Sequence, residues 1–89
     1  MQKKIILESL SMDLKRVALG MHRGSLAMAQ RFSKEALKRE QELEQFTLDI
    51  YLKKLLAVTK KRLRKKDSSM AEDFLMYSTL FRNYSVKKS

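Results

Sequence analysis

The chain has 89 residues, of which 20 are Lys or Arg and 10 are Asp or Glu, so its formal net charge is +10. It has no Cys and one His, which excludes disulfides, thiolate metal sites and multi-histidine metal centres. We expect one domain over residues 1–89, with a small core of the kind that self-association often completes.

The composition also bears on fold class and location. The sequence has no Pro and only two Gly, and helix-forming residues dominate it, so we predict an all-α fold. The first apolar run, Ile5 to Leu7, is too short for the core of a signal peptide. No stretch approaches the roughly 18 apolar residues of a membrane-spanning helix. We therefore expect no membrane span and a cytoplasmic protein.

The first predicted helix covers about residues 3–21. Its apolar residues recur at helical spacing, at Ile6, Leu10, Leu14, Val17 and Met21. Two glycines at positions 20 and 24 bracket the segment MHR, which predicts the first turn. Ser25 follows that turn and is a candidate N-cap for the next helix.

The second predicted helix begins near residue 26, or near residue 34 if the segment RFS interrupts it, and ends near residue 66. Neither Gly nor Pro occurs between residues 34 and 66, so this part alone would be about 50 Å long at 1.5 Å per residue. On one continuous helical wheel its apolar residues fall on two opposite sides. A helix with two apolar faces packs between neighbours, so we expect it to be the spine of the fold.

The third predicted helix covers about residues 70–84. Ser69 and Glu72 match the S-x-x-E pattern of a capping box at its start. Its apolar stripe is aromatic and is expected to be core, with Met70, Phe74, Tyr77, Phe81 and Tyr84. The predicted fold is therefore a three-helix hairpin or bundle with a long central helix, completed by homodimerisation.

Residues 50–66 carry eight bases and no acid, which concentrates the positive charge in one block. Such a block predicts electrostatic contact with nucleic acid through its phosphates. Polar residues flank both glycine turns, which disfavours a sequence-reading helix-turn-helix. The candidate nucleic-acid-binding residues are Lys53, Lys54, Lys60, Lys61, Arg62, Arg64, Lys65 and Lys66.

A second interpretation makes the chain a protein–protein adaptor. Its basic stripes would then pair with acidic residues of a partner or of its own dimer mate. Because the predicted central helix is longer than its neighbours, part of its apolar surface would stay uncovered in a monomer. The candidate dimer-interface residues are Phe46, Ile50, Leu52, Leu55 and Leu56. Acids covering Lys53, Lys54, Lys60 and Lys61 would favour this interpretation.

Enzymatic activity has little support in the sequence. His22 is the single histidine and lies in the predicted turn. The nearby acids Glu40, Glu42 and Glu44 lack the Glu-x-x-His pairs of a di-iron bundle. Residues 50–66 resemble a basic amphipathic helix for membranes or calmodulin-type partners, but apolar residues on opposite sides dilute that pattern. We predict no catalytic residue, no cofactor and no metal.

Overall fold

A computed structural model of the chain describes residues 2–65 and 71–88. These residues form four α-helices: α1 Lys3–His22, α2 Leu26–Leu43, α3 Ile50–Lys65 and α4 Ala71–Lys88. Helix α1 contacts α2 and α4, and α3 contacts the same two helices, in a bundle of 36 × 19 × 19 Å. The all-α class is thus confirmed for the described residues. The prediction of three helices with one long central helix is wrong.

The turn between α1 and α2 follows the sequence signals. The Ser25 hydroxyl caps α2 by accepting a hydrogen bond from the Met28 amide at 3.2 Å. Gly24 has a φ of 70°, a left-handed conformation that glycine adopts without strain. At Gly20 a Cβ atom would lie 2.8 Å from the backbone nitrogen of Ala29, so only glycine permits this close approach of α1 and α2.

The break between α2 and α3 falls inside the predicted long helix. Asp49 caps α3, because its Oδ1 accepts a hydrogen bond from the Leu52 amide at 2.8 Å. Its Oδ2 accepts a second one from the Tyr84 hydroxyl at 2.7 Å. The Tyr84 ring in turn stacks on Tyr51, with the ring centroids 6.1 Å apart. The start of α3 is therefore held against the end of α4.

The break also changes which faces are buried. Because residues 44–49 are not helical, α2 and α3 do not share one helical phase. Helix α2 buries one side, with Ala29, Ser33, Ala36, Glu40 and Leu43. Helix α3 buries one side, with Leu52, Leu55, Leu56, Thr59 and Leu63. The two apolar faces predicted for one spine are thus the inner faces of two helices around one core.

Helix α4 completes the core with its aromatic stripe. Phe74 and Phe81 are fully buried, and Tyr77 packs edge-on against Phe74. Against α1, the Ser11 and Ser78 hydroxyls each donate to the other residue's backbone carbonyl at 2.8 Å, so small residues lie where the two helices meet. The predicted capping box involves Ser69, which lies outside the described residues, as does Met70 of the predicted stripe. In the described part of the chain, the helices lack a stretch that could cross a membrane.

Asp49→Ala is expected to lower the free energy of unfolding by about 1–3 kcal/mol, because it removes both the cap of α3 and the hydrogen bond to Tyr84. Urea denaturation measures the loss. Asp49→Ser keeps a capping oxygen, and Tyr84→Phe removes only the hydroxyl. Each of these variants should therefore lower the free energy of unfolding by less than Asp49→Ala does. If Asp49→Ala is no more destabilising than Thr47→Ala at an exposed neighbouring position, Asp49 does not fix the break.

Candidate nucleic-acid interface

The buried side of α3 determines which of its residues face solvent. With the leucines inside, the opposite side presents Ile50, Lys54, Ala57, Lys61 and Lys65, all exposed. These five residues recur at i, i+4, i+7, i+11 and i+15, so they form one continuous stripe. We call this stripe the outer face of α3. Its three lysines have no acidic residue beside them on α3.

The predicted binding residues fall into three groups. Five are exposed, namely Lys53, Lys54, Lys61, Arg64 and Lys65. Two are half-buried and contact acids of the same chain: Lys60 Nζ lies 3.6 Å from Glu44 Oε1, and Arg62 Nη1 lies 3.1 Å from Asp73 Oδ2. Lys66 lies outside the described residues. The block is therefore divided between five exposed cations and two that lie beside carboxylates of the same chain.

The inner edge of α3 borders a cavity of about 340 Å³ beside the end of α2. Its charged lining consists of Lys53 and Lys60 from α3 with Glu40 and Glu44 from α2. Its apolar lining is Phe46, Leu48, Leu56 and Ala57. This edge therefore meets acids of its own chain, whereas the outer face reaches the cavity through Ala57 alone and its three lysines do not line it.

Glu40 is the unexpected member of this region. Its side chain is 3% exposed, and its Oε2 accepts a hydrogen bond from the Thr59 hydroxyl at 2.7 Å. Within the described residues, its buried Oε1 has no hydrogen-bond partner. Burial raises the pKa of Glu40 to about 7, against the opposing effects of the Thr59 hydrogen bond and the Lys60 charge. From the sequence, Glu40 is considered only as one of three nearby acids, and its burial is not predicted.

A signal for the burial of Glu40 exists in α2 considered alone. Residues 29, 33, 36, 40 and 43 follow helical spacing, and Ala29, Ala36 and Leu43 are apolar. Glu40 lies on that stripe, one turn from Ala36 and one from Leu43. This stripe is hard to recognise when α2 and α3 are treated as one continuous helix. Glu40 then looks like one of several acids near the middle of that helix.

Three of the predicted dimer-interface residues are buried within the chain. Leu52 is 0% exposed, Leu55 9% and Leu56 8%, so their assignment to an interface is wrong. The reason is the break at residues 44–49, which lets α3 turn its apolar side onto the core. Phe46 is half-buried, and Ile50 is 71% exposed. Homodimerisation itself stays a prediction. Its interface would not include these three leucines, and there is no 50 Å helix whose apolar surface a second copy would need to cover.

Side chains suited to metal binding or catalysis are few at this surface. In residues 2–65 and 71–88, the His, Asp and Glu side chains form no group of three that could hold a metal ion. His22 is exposed at the end of α1, away from the cavity beside Glu40. Comparison of the chain with protein-family models, curated sequences and solved structures found no significant match.

Proposed function

We propose that this chain is a small, non-enzymatic, cytoplasmic helical module that contacts nucleic acid through the outer face of α3. The observation that carries the proposal is the line of exposed lysines at positions 54, 61 and 65, with no acid between residues 50 and 65. Lys53 and Arg64 are also exposed and flank this line. Five cations thus lie within about 18 Å of helix, at 1.5 Å per residue.

The chemistry of this face favours contact without sequence reading. Base edges are read most selectively by planar groups that form two hydrogen bonds at once, such as those of Arg, Asn and Gln, whereas the lysine ammonium is a point charge suited to phosphate. The other two residues of the outer face, Ile50 and Ala57, offer no side-chain hydrogen bond. Affinity should therefore come from the release of counterions around phosphates.

The adaptor interpretation keeps one specific observation in its favour. Lys60 and Arg62 lie beside carboxylates of their own chain, so part of the basic block is already placed against acids. Exposed Tyr51 and Val58 lie next to the outer face and would add apolar contact with a protein. Under this alternative, the outer face would bind an acidic polypeptide instead of nucleic acid.

The test is a titration of fluorescently labelled duplex DNA of random sequence and of single-stranded RNA at two salt concentrations. With about five phosphate contacts, the affinity for duplex DNA should fall roughly 500-fold between 50 and 200 mM salt. The affinity should differ little between unrelated DNA sequences. Binding of poly-glutamate without binding of either nucleic acid would support the adaptor and contradict the proposal.

Two matched variants locate the interface. The triple substitution Lys54→Gln, Lys61→Gln and Lys65→Gln should remove about three of the five contacts, so the slope of log affinity against log salt should fall from about −4.5 to about −2. The control replaces Lys4, Lys34 and Lys38 by Gln, which changes net charge equally at exposed positions on α1 and α2. Equal weakening by both triple variants would show that diffuse net charge, not the outer face, binds nucleic acid.

A further inference from the structure

A second surface lies between α1 and α4 and is lined by no residue of α3. It is a groove of about 700 Å³, which we call the α1/α4 groove. At its base Ser11 and Ser78 exchange hydrogen bonds, so their hydroxyls are satisfied within the chain. The floor is therefore made of small, internally paired groups and needs no bound water or polar ligand to satisfy it.

The α1 wall of the groove is an exposed stripe with apolar content. Glu8, Met12, Lys15 and Leu19 line it at i, i+4, i+7 and i+11. Met12 is 52% exposed although it is apolar, and Leu19 is only partly buried. The core side of α1 is formed by other residues, so packing of the core does not explain these two.

The α4 wall repeats the same arrangement. Leu75, Thr79, Arg82 and Val86 line it at i, i+4, i+7 and i+11. Val86 is 70% exposed, and Leu75 is partly buried. Any helix has stripes with this spacing, but here two of them face one groove and each carries two apolar residues, Met12 and Leu19 on α1 and Leu75 and Val86 on α4. Stripes with a 4-3-4 spacing are those that pack around a further helix.

We propose that the α1/α4 groove binds an amphipathic helix of a protein partner, with an apolar face and acidic edges. Each stripe spans 12 residues, or about 16 Å from first to last Cα, which fits about three turns of a partner helix. Methionine suits such a surface because its side chain adapts to different apolar partners. The proposal is independent of nucleic-acid binding by α3.

Charge identifies the class of occupant. The groove is lined by three bases, Lys15, Arg16 and Arg82, and by one acid, Glu8. Arg16 is paired with Asp13 at 3.6 Å, whereas Lys15 and Arg82 are exposed. A second copy of this chain would bring like charges together, because the net charge is +10. An acidic helix complements the groove, and a basic one is repelled.

The probe is a labelled amphipathic peptide of about three heptads, with Leu at positions a and d and Glu at e and g. Repulsion between the Glu side chains keeps it from pairing with itself. Its counterpart has Lys at e and g. Fluorescence anisotropy should show that the Glu peptide binds at least about tenfold more tightly than the Lys peptide.

The variants Met12→Glu and Val86→Glu change exposed positions, so the chain should still fold, and each should weaken binding of the Glu peptide by about tenfold or more. Leu26→Glu is the matched control, since Leu26 is an apolar residue of α2 that is 64% exposed and does not line the groove. Its binding should equal that of the unmodified chain.

Four outcomes would overturn the proposal. One is that the Glu peptide fails to bind or binds no better than the Lys peptide. Another is that Leu26→Glu weakens binding as much as Met12→Glu. A third is a sedimenting dimer that Met12→Glu dissociates, which would assign the groove to a second copy. The fourth is displacement of the peptide by duplex DNA in the Lys54, Lys61 and Lys65 triple variant.

Discussion

Phe81→Ala is expected to lower the free energy of unfolding by about 3–5 kcal/mol, because it leaves a cavity in the core. Phe81 is 0% exposed and belongs to a core cluster to which all four helices contribute. A domain of this size is stabilised by only about 5–15 kcal/mol in total, so the loss is a large share. The thermal midpoint should fall by tens of degrees, which circular dichroism measures directly.

Two further variants make this result interpretable. Met76→Ala truncates a half-exposed side chain on the same helix and should change stability by at most about 0.5 kcal/mol. Phe81→Leu keeps aliphatic bulk in the core and should show a smaller loss, which remains measurable if Phe81→Ala does not fold. Equal thermal midpoints for Phe81→Ala and Met76→Ala would mean that the aromatic stripe of α4 does not hold the core.

The parts of the fold that the sequence predicts are those whose signals are local. In α1 the apolar period is unbroken from Ile6 to Met21, and in α4 the aromatic period continues to Tyr84. The α1–α2 turn has two glycines and a serine cap within six residues. Each of these signals operates within a few residues of chain, so it does not depend on how the helices are arranged.

The break between α2 and α3 is harder to predict because its partner is distant. The segment has no Gly or Pro, and its one local signal is a possible cap at Asp49. That cap is reinforced by the hydroxyl of Tyr84, 35 residues further along the chain. Without the break, α2 and α3 would share one helical phase, which is why the sequence alone predicts a two-faced spine and places in an interface three leucines that the fold buries.

The candidate site was predictable in composition but not in geometry. The charge of residues 50–66 is visible in the sequence, whereas the division into paired and free cations is not. Lys60 meets Glu44 only because α3 folds back beside α2, and Arg62 meets Asp73 only because α4 returns along α3. Burial of Glu40 likewise depends on α3, whose Thr59 covers it from the facing helix.

Glu40→Gln is expected to remove a fall in stability between about pH 4.5 and 7. The carboxyl has a pKa near 4.5 in the unfolded chain and about 7 when folded, so the folded chain binds this proton more tightly. The free energy of unfolding therefore decreases as the pH rises through this window and stays low above it. The decrease corresponds to about 3 kcal/mol. Gln carries no proton to lose, so the variant should be more stable than the unmodified chain at about pH 8.

The comparison is made by urea denaturation at several pH values on the unmodified chain, on Glu40→Gln and on the control Glu72→Gln, which changes an exposed acid of α4. Burial also raises the pKa of Asp13. Because Asp13 is present in all three proteins, its contribution to the pH dependence cancels in the comparison. Thr59→Val removes the hydrogen bond that lowers the pKa of Glu40, so the fall in stability should still begin near pH 4.5 but extend to higher pH and become larger. Identical profiles for Glu40→Gln and Glu72→Gln would show that Glu40 is solvated, because only a buried carboxyl that is charged at neutral pH destabilises the packing of α3 against α2.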